Sequence, residues 1–411
     1  MKSFRNQFTL SNIFLVIILL EVFLMGSGRM IMIGPMTLRM VLFTLAMVSS
    51  LIYLFVKNVI DKQTTILLSI FFISSSVALL RGTINGADNM LILEDLKPLS
   101  FFLILIYFSI NITDMDRVKI ITMAIKTSAL TLVAVYATIL LLLYFNVIEF
   151  LNLYDLLSKD SSFIFRGADG LFFYSGFLYL CIGFIFFMFS SRLIDKLLGL
   201  LMFIAIVLSF TRGFLLATVM VVAIYFIFMK KSMSSGILIV LIVFASLLLL
   251  PIYTIEIGDK TESDMIRITT FTQVIESSNI ISILVGHGFG IGTPERPIHM
   301  ESSLLEIFHK QGLLGLFFWF MIFYTIIQKY FKACRNNCRD LALPFFLSSV
   351  AIFIQTNTNP YMNNPIGMAM LLVTIPALDV LGKWCPTAHN NRQGTISRKQ
   401  SNHLRVEGAS S

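Results

Sequence analysis

The stretch GHGFGIGTPERPIHMESSLLEIFHKQGLLG, Gly286 to Gly315, begins as a glycine-rich turn and ends as an apolar helix. Between these halves sit Arg296, His299 and Glu301, within six positions. Apolar runs of roughly twenty residues recur along the rest of the chain, and such runs are what a helix needs to cross a bilayer. The 411 residues are 57% hydrophobic and only 13% charged, and the mean hydropathy is +0.85. Soluble domains carry about 25% charge. The expected fold is therefore an all-α polytopic membrane protein with about twelve transmembrane helices.

Those spans are expected at 9–25, 36–56, 64–80, 98–112, 120–145, 171–190, 197–210, 213–229, 235–253, 312–327, 342–356 and 366–382. Residues 1–382 then form one membrane domain, and 383–411 form a basic, disordered cytoplasmic tail. A large outer loop, 254–311, which the resemblance given below makes periplasmic, separates spans nine and ten, with short helices within SDMIRITTFTQVIESSNI. The orientation follows from Lys and Arg clusters in alternate short loops, such as Lys57 and Lys62, Arg117 and Lys119, and Lys230 and Lys231. Placing these inside puts both termini in the cytoplasm. The net charge of +8 punctuates apolar runs, which marks topology rather than nucleic-acid binding. The four cysteines read as free thiols, without a disulfide framework or a zinc pattern.

On the outer side, isolated arginines stand out. Arg212 lies between two apolar stretches in LSFTRGFLLATVM, where a guanidinium is costly unless it pairs or binds an anion. Arg166 in FIFRGADGLFF and Arg81 in RGTING repeat the Arg-Gly pair. Arginines converging on one outer cavity suit a diphosphate. Asp88, Glu94 and Asp95 read as solvating charges near Arg81. GHGFGIG lacks the strand–helix context of a dinucleotide fingerprint, so its glycines read as shaping a compact loop that holds His287. Ser302 or Ser303 suits a helix cap, with Glu301 or His299 beside it as a general base. Glu306 and His309 read as orienting that helix. No metal-ligating motif stands out, and NTNPYMNNPIG, with Asn359, offers amides to sugar hydroxyls.

The ordered set SFTRG (209–213), GHGFGIG (286–292), ESSLLEIFHKQGLLG (301–315) and NTNPYMNNPIG (357–367) resembles the O-antigen polymerase and O-antigen ligase superfamily of bacterial inner membranes. The likeness covers roughly 195–382. Ligases open the third element with His-Asn about eleven residues before its glycine. Here that place holds Glu301 and Ser302, and His299 stands two positions early. The pattern is thus closer to a polysaccharide repeat-unit polymerase.

The resemblance implies a metal-independent membrane glycosyltransferase without cofactor. It would act at the periplasmic face on undecaprenyl-diphosphate-linked oligosaccharide, as both donor and acceptor. It further implies Glu301, His299 and Arg212 as catalytic groups, and Arg166, Arg81, Arg296 and Asn359 as substrate-binding groups. A chain-length regulator and a flippase would be partners. The alternatives are a ligase acting on lipid A-core and a flippase or transporter, which would keep its charges nearer the bilayer midplane.

Overall fold

The structure, a computed structural model, describes residues 10–57, 61–158, 163–165, 172–190, 192–209, 211–226 and 261–384. The expected span 235–253, Arg166 and nearly all of the 383–411 tail lie outside the described residues. The described helices are α1 (Leu10–Leu24), α2 (Leu38–Lys57), α3 (Lys62–Ile84), α4 (Asn89–Ser100), α5 (Ile104–Asn111), α6 (Met115–Tyr144), α7 (Phe150–Leu157) and α8 (Leu178–Met188). They continue with α9 (Leu193–Leu208), α10 (Arg212–Tyr225), α11 (Thr261–Ser277), α12 (Ile280–Val285), α13 (Ser303–Arg335), α14 (Arg339–Gln355) and α15 (Pro365–Trp384).

The expectation of about twelve transmembrane helices in an all-α chain is not met. Among the described residues, five helices are long and apolar enough to cross a membrane: α2, α3, α6, α13 and α15. The other described runs form shorter pieces. α1 is described over 15 residues, which reach about 22 Å at 1.5 Å per residue. The run expected at 98–112 is divided between the end of α4, a 3₁₀ turn at Phe101–Leu103 and α5. The run at 171–190 opens as a strand, Phe172–Tyr174, paired antiparallel with Phe163–Phe165. A second small hairpin pairs Met32–Ile33 with Met36–Thr37. Short helices expected within 254–311 are present: α11 and α12 lie in 261–285. The free-thiol reading holds for Cys181 and Cys334, whereas Cys338 is disulfide-bonded.

The long helices turn apolar side chains outward. Leu51, Ile52, Phe55 and Val56 of α2 and Phe72, Ile73 and Leu80 of α3 are exposed. Such faces suit lipid, where a helix satisfies its own backbone, and the chain is a multi-pass membrane protein. The core gathers around α15, whose span is almost wholly enclosed by protein. It packs against α1, α5, α6, α13 and α14. Charges inside this apolar body are paired, as their desolvation requires. Arg39 on α2 holds both carboxylate oxygens of Glu21 on α1 at 3.0 Å and donates to the Gly26 carbonyl at 2.8 Å. Lys329 on α13 meets Asp379 on α15 at 2.9 Å.

The glycine-rich stretch is a junction of main chains. Gly288, at φ +105°, lies where a Cβ would overlap the Gly82 backbone on α3, and a Cβ on Gly82 would overlap the Phe289 carbonyl. The contact is closed by the Phe289 amide donating to the Ala78 carbonyl at 3.0 Å. On its other side the His287 and Gly288 amides donate to the carbonyls of His309 and Lys310, at 2.8 and 3.0 Å. There α13 is interrupted at Gly312, whose φ of 63° is not helical.

This close approach predicts a sharp local sensitivity. Gly82→Ala should lower stability by about 1–3 kcal/mol through overpacking against main chain that cannot retreat. Thr83→Ala, one residue on and exposed, should stay within about 0.5 kcal/mol. Thermal unfolding of the two purified variants in detergent is the comparison. Equal midpoints would show that the junction yields.

Candidate functional site

The site is assembled from α4, the 286–302 segment, the first turns of α13 and the loop before α15. Asp88 caps α4, accepting the Met90 amide at 2.9 Å. Ile92 and Leu99 lie three before and four after Asp95, and all three are buried. That spacing puts Asp95 on the inward stripe of its helix. Its Oδ2 accepts the Gly290 amide at 2.7 Å, tying α4 to the glycine junction. Ser302 caps α13 by accepting the Leu305 amide. One turn in, Glu306 and Lys310 stand four residues apart on one face, with Lys310 Nζ 2.7 Å from Glu306 Oε1.

Lys310 Nζ also donates to Asp95 Oδ1 and to the Ile298 carbonyl, each at 2.6 Å. Asn363 Nδ2 donates to Glu306 Oε2 at 2.9 Å. His299 Nδ1 lies 3.1 Å from Glu306 Oε1 and 3.8 Å from Asp95 Oδ1. A carboxylate only accepts, so this geometry puts a proton on Nδ1 and leaves Nε2 as the acceptor of the neutral ring. Two carboxylates and one ammonium carry one net negative charge, which a protonated His299 balances. The hydrogen bond to Glu306 accordingly raises the His299 pKa, against the opposing effect of burial. Burial raises the Asp95 carboxyl, while Lys310 and the Gly290 amide pull it down.

These residues line a cavity of about 130 Å³, together with Phe289, Pro360 and Asn364. The side chains of Asp95, Glu306 and Lys310 are 4–5% exposed, whereas His299 is 52% exposed. His299 is thus the member of the network that a solute meets first. The ligand atoms of Asp95, His299 and Glu306 all lie within 4.8 Å of one another, a set able to hold a metal ion. The Lys310 ammonium already contacts the facing oxygens of both carboxylates.

Glu301 and Arg296 belong to a second cavity of about 500 Å³, between α11 and the start of α13. Glu301 Oε2 accepts from Arg267 Nε at 2.5 Å and Oε1 from Arg296 Nη2 at 2.8 Å. Each carboxylate oxygen is therefore held by a guanidinium. Apolar Phe271, Leu304 and Phe308 alternate with Thr270 and Asn357 around this cavity. Only two residues apart in sequence, His299 and Glu301 face different spaces.

Arg212 begins α10 after an extended Thr211. Its neighbour Gly213 sits against Gln355, Thr358 and Asn359, where a Cβ would crowd the Thr358 hydroxyl. Arg212 Nε and Gln355 Nε2 are both buried with no hydrogen-bond partner among the described residues. Asn359 Nδ2 approaches Gln355 Oε1 at 3.3 Å, so the sequence-predicted Arg212 and Asn359 do share one neighbourhood. Arg81 lies elsewhere, at the glycine junction. There its charge adds to burial in lowering the His287 pKa. Neither Arg81 nor Arg212 lines either cavity. The expectation that Asp95 solvates a loop is corrected by its burial and its bonds to Lys310 and Gly290, and Lys310, its partner, belongs to no motif in the sequence. Their available signals are the i−3, i+4 apolar neighbours of Asp95 and the Glu306–Lys310 spacing.

A group whose folded pKa is raised stabilises the fold below its unfolded pKa, and that contribution is lost as pH rises through the folded value. For His299 the unfolded value is about 6.5. Stability should therefore fall as pH climbs from about 6.5 through the raised folded value, and His299→Gln should flatten that slope. Unfolding midpoints from pH 6 to 9 measure it. An unchanged slope in the variant would mean that His299 is not held by Glu306.

No known family profile matches the chain. It is similar to the O-antigen polymerase of Shigella flexneri, with 28% identity over 379 residues that cover 89% of this chain and 94% of that protein.

Proposed function

We propose that the chain is a membrane glycosyltransferase that polymerises lipid-diphosphate-linked oligosaccharide repeat units into a surface polysaccharide. The observation that carries this reading is the half-exposed His299 held by buried Glu306 at a cavity mouth. The likeness to an O-antigen polymerase along nearly the whole chain supports the reaction class.

In this reading an acceptor sugar hydroxyl approaches His299 Nε2. Its oxygen attacks the anomeric carbon of the donor, the bond to the lipid diphosphate breaks, and the hydroxyl proton passes to His299. The departing diphosphate takes the negative charge. Arg212, with Gln355 and Asn359 beside it, stabilises that charge through donors that are already desolvated. The sequence resemblance adds Arg166 and Arg81 to this reading as further donor-binding groups. Glu301 holds Arg267 and Arg296 in place, and the larger cavity takes sugar rings against Phe271 and Phe308. The ammonium of Lys310 fills the cation position, so the transfer proceeds without an added metal ion. The site faces the periplasm of a bacterial inner membrane, with both termini in the cytoplasm.

Purified protein given only lipid-linked repeat units should build a ladder of longer lipid-linked chains, without nucleotide sugar. Arg212→Ala should reduce the rate about 10²–10³-fold. Arg212→Lys should also fall sharply, since it loses the planar fork. His299→Ala should cost about 10²–10⁴-fold, and Glu301→Gln less than either. Ladder formation in normal yield by the Arg212→Ala and His299→Ala proteins would overturn the site. Transfer seen only when lipid A-core is supplied would overturn the polymerase reading.

A further inference from the structure

The position of Lys310 suggests a role beyond pairing charges. An ammonium has three N–H donors. Those of Lys310 meet Asp95 Oδ1, Glu306 Oε1 and the Ile298 carbonyl at 2.6, 2.7 and 2.6 Å. The three acceptors come from α4, from α13 itself and from the segment that carries His299. The Lys310 side chain is 4% exposed, so bulk water scarcely reaches its ammonium. Two carboxylates, a carbonyl and an adjacent imidazole make a ligand set typical of a divalent cation. The three side-chain ligand atoms already lie within the 4.8 Å that one ion spans.

We propose that Lys310 is a positioning residue that stands in for a metal ion. Its ammonium is the fixed cation of this shell, and it sets His299 by gripping the preceding carbonyl and the carboxylate that holds the imidazole. One consequence follows from charge alone. Without the ammonium, Asp95 and Glu306 face each other with nothing between them, and a divalent cation becomes their natural occupant. Arginine is a poor replacement, because a planar fork cannot direct three donors to a pyramid of acceptors.

The test uses the full chain in detergent, as wild type, Lys310→Ala and Lys310→Ser. Manganese binding is followed by paramagnetic resonance and calorimetry. Wild type should bind no stoichiometric manganese. Lys310→Ala should bind about one equivalent, which Asp95→Asn in the same background abolishes. The second arm rests on the polymerase reading. Lys310→Ala should polymerise about 100-fold more slowly. Millimolar manganese should restore at least tenfold of the loss, a rescue that a merely structural lysine would not allow.

If Lys310→Ala folds poorly, manganese during extraction should restore a monodisperse protein, and Lys310→Ser, which also leaves the cation position open, should show the same metal dependence. Folded variants that bind no manganese, or a loss of rate or folding that no divalent cation repairs, would overturn the proposal. Stoichiometric manganese binding by Lys310→Ala, with no ladder from any protein including wild type, would leave this inference standing and sink the polymerase reading instead.

Discussion

No side chain fits where the main chain at Gly288 crosses α3 at Gly82, and the site depends on that crossing. It brings the 286–302 segment down onto the membrane helices rather than leaving it as a loop in water. Once the Phe289 amide is bonded to α3, Gly290 comes within reach of Asp95, and the same loop bonds back to α13 through His287 and Gly288. The loop is thereby fixed to α3 and α13 through main chain, and to α4 through the Asp95 carboxylate. This is the precision that a network of short ionic hydrogen bonds requires, since a misplacement of one ångström would leave a buried charge unpaired.

Magnitudes explain why the network is buried except at one place. Breaking a buried ion pair by removing one partner costs about 3–5 kcal/mol. Asp95, Glu306 and Lys310 are therefore committed to one another, and none is available to a substrate. His299 is different. Its ring can exchange a proton with what enters the cavity, while Glu306 keeps its orientation. The division between inert interior and responsive rim is set by exposure, 4–5% against 52%. In the neighbouring cavity Glu301 has the opposite situation. It is a third exposed, yet both oxygens are engaged by arginines.

Much of this was legible in residue order, and what was missed has identifiable causes. Ser302 as a helix cap and GHGFGIG as a turn follow from local backbone chemistry, and both are found. Short helices within the 254–311 segment are also found, as α11 and α12. The excess of spans arose because hydropathy measures greasiness and not helix length. The run beginning at 171 opens as a strand, and the run at 98–112 is divided between α4, a 3₁₀ turn and α5. Asp95 sits beside Glu94 in a segment that reads as a charged loop. Only its partner, 215 positions away, reveals it as buried. His299 and Glu301 looked interchangeable because sequence gives proximity along the chain, and two residues are enough to turn a side chain into another cavity.

The enclosure of α15 bears on how the molecule is made. A ribosome delivers the chain from its N-terminus, so α1, α5, α6, α13 and α14 all emerge before the helix they surround. They cannot close on one another, because the space between them belongs to a helix not yet synthesised. Until α15 arrives, Lys329 on α13 has no Asp379, and a charge destined for the interior lacks its counterion. Assembly is therefore the capture of a late core helix by an open ring of early ones, rather than the sequential stacking of finished hairpins.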